Sequence, residues 1–237
     1  MWIIADKNHK GYPDNTITLI SEKILCLKCF DAIEPNNSND NRKRWGNSNY
    51  KYSNLLSWLN SSGYRWYRSQ HNADAPPSSP NIYGGNPYDT EQGFLTGFSK
   101  KFRQALVPTS FNIKVSYADR GTGSNFVTSN IFLASKAEVS FYEAYTSDTV
   151  ISLFNNSEYR KAYPTYEAYI NSSFKPSNMN TSSAYRWWLR NTDEDDIRAA
   201  VVGEDGNQTG QVVNEGDGGV RPLCNIRNDS NFFEIEK

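Results

Sequence analysis

The chain has 237 residues, with 25 Lys and Arg against 26 Asp and Glu, a net charge of -1 and a pI near 6.2. That length can bury a sizeable core, and the charge balance argues against a nucleic-acid partner, which needs a basic face. Aromatic residues make up 14% of the chain while the hydrophobic fraction is only 37%, so the core has to be built from rings more than from Leu, Ile and Val. Rings bury large areas and keep a polar handle.

In chain order, Met1 to Asp6 lacks a basic n-region and an extended apolar stretch, so no signal peptide is expected. No run approaches the roughly 18 apolar residues of a membrane span. These readings leave three options: a cytoplasmic chain, one released without a signal (as by phage lysis), or a fragment whose leader is gone. Thr16 to Ile20 alternates polar and apolar residues and predicts a strand, continued in the same style from Lys23 to Phe30. That second stretch carries Cys26-Leu27-Lys28-Cys29. With Cys224 the cysteine count is odd, which does not make a disulfide framework, and His9 and His71 do not complete a zinc spacing. The expectation is reduced thiols, at least one of them buried, with no metal and no cofactor.

Glu34 to Asn49 is Asn-rich and reads as a long loop with Trp45 anchored into the core. Ser53 caps a short helix whose Leu55, Trp58 and Leu59 share one face. Ser69 to Tyr88 reads as a long surface arm. Phe94, Leu95, Phe98, Phe102 and Leu106 stripe a helix predicted over 91–106, stopped by Pro108. Phe111 to Tyr117 reads as a strand and Asp119 to Ser124 as a turn. Ser135 and Glu138 match a capping box and predict a helix that ends near Tyr145. Ile151 to Ser173 carries four Tyr and leaves room for short helices.

The C-terminal third is β-rich. Tyr185 to Arg190 is a strand whose period of two puts Trp187 and Trp188 on opposite faces, as in a strand covered on both sides. Arg198 to Val202 and Thr209 to Val213 form a hairpin around Asp205-Gly206, and Val220 to Ile226 is a last strand. Nothing marks a boundary, so residues 1–237 are read as one α+β domain.

The blocks Trp187-Trp188-Leu189-Arg190 and Gly219-Val220-Arg221-Pro222 resemble those of a bacterial and phage domain family of uncharacterised function. Thr18-Leu19, Phe30-Asp31, Ser53-Asn54, Trp58-Leu59-Asn60, Phe132-Leu133-Ala134-Ser135, Glu138 and Gly206 add to the likeness, which spans about 16 to 226. Asn191-Thr192 in place of Ser-Pro, and Leu223-Cys224 in place of Ala-Leu, depart from it. The family looks like C-type-lectin-fold proteins, in the branch of the formylglycine-generating enzyme and the retroelement variable proteins. The resemblance implies a small twisted antiparallel sheet with two or three helices and long loop insertions. It also implies a non-enzymatic binding or adhesion module, displayed on a phage virion or other extracellular surface, that contacts a host-surface protein or glycan. A virion structural or decoration component bound only to other virion proteins, and a degenerate relative of the formylglycine-generating enzyme using Cys224, are the alternatives. Self-association is left open.

On this reading Trp187, Trp188, Arg190, Gly219 and Arg221 form the structural framework. Ligand contacts are expected on the loops around it, at Asp193, Asp195, Asn207, Asn214 and Asp217. Glu34-Pro35-Asn36 matches the calcium motif of mannose-binding lectins in its residues but lies early and lacks a Trp-Asn-Asp partner, so it reads as a polar turn. Asp193 to Asp196 reads as a solvated acidic turn rather than a cation site, and Arg190 and Arg221 as arginines paired inside the fold.

Overall fold

The computed structural model describes residues 1–116, 119, 126–144, 146–177, 179–193 and 195–228. Over the described residues it is a mixed α+β structure of three sheets and four short helices. The strands are β1 (Trp2–Lys7), β2 (Thr16–Ser21), β3 (Cys26–Leu27), β4 (Thr109–Asn112), β5 (Phe126–Ser129), β6 (Ile131–Phe132), β7 (Trp187–Thr192), β8 (Arg198–Val202), β9 (Gln208–Val212), β10 (Gly219–Val220) and β11 (Leu223–Arg227). The helices are α1 (Asp40–Trp45), α2 (Asn54–Leu59), α3 (Lys100–Ala105) and α4 (Tyr166–Asn171).

One sheet runs β1-β2-β11-β6, a second β3-β10-β7-β8-β9, and β4 pairs with β5. All six residues of β2 are buried, so its polar side chains must be satisfied inside the protein. Thr18 Oγ1 donates to Asn225 Oδ1 at 2.7 Å, and Asn225 Nδ2 donates to Thr109 Oγ1 at 2.7 Å. β7 is likewise buried throughout. Trp187 packs on Phe154 at 6.3 Å and Trp188 on Phe30 at 5.6 Å, one on each face. Each indole N–H finds a carbonyl at 2.8 Å, Arg160 O for Trp187 and Lys28 O for Trp188. Gly218 is what allows the Trp188 ring to lie on the backbone, since a Cβ there would meet the indole at 2.1 Å.

The closing block joins the two larger sheets. β10 lies between β3 and β7, then the chain crosses at Arg221-Pro222 and enters the other sheet as β11, between β2 and β6. Arg221, 2% exposed, pins the crossing. Its Nε donates to Ser21 O at 3.1 Å, one of its terminal nitrogens donates to Tyr159 O at 2.7 Å, and its guanidinium lies 5.0 Å from the Trp187 ring.

Several expectations change. The expected single antiparallel sheet is replaced by three, and β10 runs parallel to β7. β1 was not expected at all, and the stretch 23–30 contributes only Cys26–Leu27 to a sheet. The strand expected over 111–117 is Thr109–Asn112. The last strand, expected to be continuous, is split by Pro222, which has no N–H for a ladder. The helix over 91–106 is broken into a 3-10 turn, Phe94–Gly97, and α3, because Phe98 is extended and Ser99 caps a new start through its hydroxyl to Phe102 N. The aromatic stripe survives the break, with Phe94, Phe98 and Phe102 in sequential ring contact at 5.2 and 4.8 Å.

Trp45 is 43% exposed at the end of α1 rather than anchored in the core. The helix expected after Ser135 is a single turn ending at Ser140, where φ is +68°. Both capping-box bonds nevertheless form, Glu138 N to Ser135 Oγ at 3.2 Å and Ser135 N to Glu138 Oε2 at 2.9 Å. The turn does not propagate because Ser140 turns left-handed and the Glu138 carbonyl, which a helix would give to residue 142, accepts from Ile151 N at 3.0 Å. The turn read over 119–124 lies outside the described residues apart from Asp119, as do Tyr117, Tyr145 and Glu194.

The arm over 69–88 is fastened by Asn86, which is buried. Its amide donates to Gly216 O at 2.9 Å and Phe174 O at 3.2 Å, and its Oδ1 accepts from Ser173 N at 2.7 Å. Three loops distant in sequence thus meet at one side chain.

Candidate functional site

β9 is the margin of the five-stranded sheet. Gly203 N donates to Asn207 O at 2.7 Å and Val213 N to Ile197 O at 3.0 Å, which fixes the alternation of the β8–β9 ladder. The backbone groups of Gln208, Gly210 and Val212 therefore point away from β8. Beside this margin lies an open groove of about 610 Å³, lined by Arg186, Asp193, Arg198, Gln208, Gln211 and Glu215 among others. It runs into a depression of about 440 Å³ at the Gly203–Asn207 turn, which shares Arg186, Gln208 and Thr209.

Asp217, 7% exposed, organises one wall. It accepts from an Arg186 terminal nitrogen at 2.6 Å through Oδ2 and from Gln211 Nε2 at 2.7 Å through Oδ1. Asp193 sits on the other wall, where its Oδ1 accepts from Gln208 Nε2 at 2.8 Å. Its Oδ2 fills the space a Cβ on Gly210 would occupy, 2.2 Å away. Arg198 is 3.5 Å from Asp195 Oδ2 and its side chain is 48% exposed. Burial, then the neighbouring Asp217, pushes the Glu215 carboxyl up. Two buried polar atoms of this group, Arg186 Nε and Gln211 Oε1, have no hydrogen-bond partner among the described residues.

Of the residues expected to contact a ligand, Asp193 lines the groove, Asp217 stands behind it, and Asn207 lines the adjoining depression. Asn207 is held by Asp205, whose Oδ2 accepts from its amide at 2.8 Å. Asp195 is outside the groove and caps Ile197 N at 3.1 Å. Asn214 is buried and its carbonyl accepts from Tyr83 N at 2.9 Å, so it anchors the long arm. The acidic turn does not converge, because Asp196 turns away to accept from Asn39 Nδ2 at 2.7 Å. Arg186 and Gln211 were not foreseen. Their one sequence signal is Arg186 two residues from Trp188, which puts both on one strand face.

The framework residues Trp187, Trp188, Arg190, Gly219 and Arg221 are all buried. Arg190 is the buried electrostatic centre. It donates to Glu138 at 2.6 and 2.7 Å, to Asp148 at 2.8 Å and to Leu133 O at 2.9 Å. Tyr12 Oη donates to the same Glu138 at 2.6 Å. Burial alone would raise the Glu138 carboxyl, but Arg190 holds it below the usual carboxylate range.

Glu34, of the Glu-Pro-Asn stretch, is also 1% exposed. It accepts from Asn47 Nδ2 at 3.2 Å and pairs with His71 Nε2 at 3.1 Å. Among the described residues no group of three or more His, Cys, Asp or Glu is placed to hold a metal ion. A second concavity, of about 550 Å³, is lined by residues of β3 and α4, among them Cys26 and Glu167, and by the paired Lys28 and Glu91. Cys29 and Cys224 are buried, Cys26 is partly so, and all three are free thiols.

These features define an α+β protein that offers an open polar groove on the margin of a deeply buried sheet. The chain belongs to the DUF6273 family, a domain of unknown function, whose model matches residues 14–228. No curated protein and no solved structure matches it. Among the described residues no helix is long and apolar enough to cross a membrane.

Proposed function

We propose that the chain is a non-enzymatic, C-type-lectin-like binding or adhesion module, displayed on a virion or other extracellular surface, whose groove beside β9 contacts a host-surface protein or glycan. The observation that carries this reading is the groove itself. It is wide and open, it is lined by paired donors and acceptors, and it stands on β7 and β8, whose side chains are almost all buried. A rigid floor under a polar surface limits the ordering cost of binding. Placement on a virion, and the lectin-like relationship, rest on the resemblance of the Trp-Trp-Leu-Arg and Gly-Val-Arg-Pro blocks. The enzymatic alternative would need a reactive Cys224, whereas that thiol lies inside β11, fully buried and raised far above its usual range by desolvation, where thiolate chemistry is suppressed.

Thr209 is exposed and lines both parts of the groove, so Thr209→Trp blocks it without touching the core. On a printed array of glycans and purified surface proteins, the wild type should show saturable binding to at least one feature and Thr209→Trp should lose it. Equal binding by both proteins, or no saturable feature, would sink the proposal.

A further inference from the structure

A strand at the edge of a sheet offers unpaired N–H and C=O groups to any chain that can pair with it, and proteins guard such edges with short strands, bulges, charges or proline. The other margins of the two larger sheets are guarded in this way. β1 has a register shift between Ile4 and Asp6 and ends in Asp6-Lys7, while β3 and β6 have two residues each. β9 has no such guard. Its sequence, Gln208-Thr209-Gly210-Gln211-Val212, carries no charge and no proline, and it pairs with β8 along its whole length without a shift. Asp193 covers the face of Gly210, at the place of a Cβ, and the margin itself opens on the groove. We infer that this margin is a self-pairing edge, on which a second copy of the chain sits with its own β9 antiparallel to the first, related by a two-fold axis through Thr209. The inference goes beyond the binding-module reading and adds an occupant to the same groove, one that a ligand has to displace.

The register follows from which groups are free. The N–H and C=O of Gln208 and Gly210 point away from β8, and nothing among the described residues bonds them. The Val212 carbonyl points the same way but already accepts from Glu215 N at 3.2 Å, and Gly206 N already donates to Gly203 O at 3.0 Å. An axis through Gly210 or Gln211 would call on the Val212 carbonyl, and an axis through Gln208 on Gly206 N. An axis through Thr209 sets Gln208 opposite Gly210 of the second copy. Opposed residues of this kind exchange both their hydrogen bonds, so the free groups of Gln208 and Gly210 satisfy one another completely. Thr209 then meets Thr209 of the second copy in a close, non-hydrogen-bonded pair. The charges choose the direction. At the Val212 end the exposed charge is Arg198, with Asp195 and Glu215 beside it partly buried. At the other end the turn carries Glu204 and Asp205, both exposed, and the neighbouring Lys161 pairs with Glu158 at 3.2 Å. Antiparallel pairing brings the Arg198 end of each copy to the acidic turn of the other, whereas parallel pairing sets acid beside acid. Such charges fix orientation more than affinity.

Pairing over so short a margin falls at the small, transient end of protein interfaces, so the test is sedimentation of the whole chain over a dilution series from about 1 mM to about 1 µM, the span of weak association. The wild type should pass from dimer to monomer on dilution. At the concentrated end the amides of Gln208 and Gly210 should gain protection from hydrogen exchange, while those of Thr209 and Gln211, already bonded to β8, should not change. Thr209 is exposed, so Thr209→Lys and Thr209→Glu should keep the wild-type melting temperature, which is the control for folding. Each variant alone sets like charges directly opposite and should stay monomeric across the series. Mixed in equal amounts they should associate again, because Lys then meets Glu across the axis. A wild type that is monomeric at every concentration overturns the inference. So does a dimer that persists in both variants, a mixture that stays monomeric, or a dimer without protection at Gln208 and Gly210. The array decides separately: binding there that is lost in Thr209→Trp keeps the binding-module reading whether or not the chain self-pairs, and a self-pairing chain that binds no array feature keeps this inference alone.

Discussion

Replacing Arg190 by Met removes the cation that Glu138 and Asp148 share, while filling much of the same volume. Arg190 is 0% exposed and Glu138 1% exposed, and two contacts of 2.6 and 2.7 Å join them. Water therefore does little to screen the pair, and Arg190→Met strands a buried carboxylate. Breaking a buried pair from one side costs about 3–5 kcal/mol, a large part of the roughly 5–15 kcal/mol that holds a domain folded. For a chain of this size that corresponds to a melting temperature lower by about 6–20 °C. The double replacement Arg190→Met with Glu138→Gln should recover much of the loss, because it leaves no unpaired carboxylate at that position.

The pH dependence has a definite sign. Glu138 has a folded pKa below its ordinary 4.5, so its contribution is fully present above that value and is lost as pH falls through the folded pKa. In Arg190→Met the cation is gone and burial raises the same carboxyl. The penalty should then be largest near neutrality and shrink toward pH 4. Urea unfolding of wild type, both single variants and the double at pH 7 and pH 4 measures all of this. A loss under about 1 kcal/mol, or an equal loss at both pH values, would refute the account of Arg190 as a buried structural counter-ion.

Two other substitutions probe the scaffold. Gly218→Ala drives a Cβ into the Trp188 indole, 2.1 Å away, and should cost about 1–3 kcal/mol as overpacking, with a changed near-ultraviolet circular dichroism signal; an unaltered signal and stability would contradict the contact. His71→Gln tests the pair with Glu34. The neighbouring Glu34 raises the His71 pKa, so that contribution exists below about 6.5 and is lost as pH rises through the folded value. Glu34 is shifted down, burial being outweighed by His71, Asn47 and Asn37, and its contribution is lost as pH falls below about 4.5. Melting temperatures should therefore separate wild type from His71→Gln most between about pH 4.5 and 6.5, by the equivalent of ~1 kcal/mol or less, and converge at pH 9; a gap that persists there speaks against it.

Local pattern was sufficient where neighbours in sequence decide the outcome. Ser53 caps α2 as its spacing demands, the Asp205-Gly206 turn closes the β8–β9 hairpin, and the alternation at Trp187 and Trp188 places the rings on opposite faces. It was insufficient where a distant partner decides. Ser135 and Glu138 satisfy every local condition for a helix start and make both capping-box bonds, yet Ile151 N takes the Glu138 carbonyl, Ser140 turns left-handed and only one turn forms. The stretch Val220 to Ile226 reads as one strand until the two sheets are seen to divide it at Pro222. The groove shows the same division. Asp193 and Asn207 belong to turns, where sequence places polar residues at a surface. Arg186 and Gln211 gain their significance only from Asp217, which holds both, and that convergence leaves no trace in spacing.

The place of β11 has a consequence for how the chain is made. The last of the described strands is not at an edge. It lies inside the four-stranded sheet, between β2 from the beginning of the chain and β6 from its middle. Until residues 223–227 pair, β2 keeps one side open, its other side being the one β1 fills. Such long-range closure is slow and leaves unpaired edges exposed in the meantime. The four-stranded sheet thus acquires its final order only when residues 223–227 pair, and the groove stands on strands tied to that closure through Arg221.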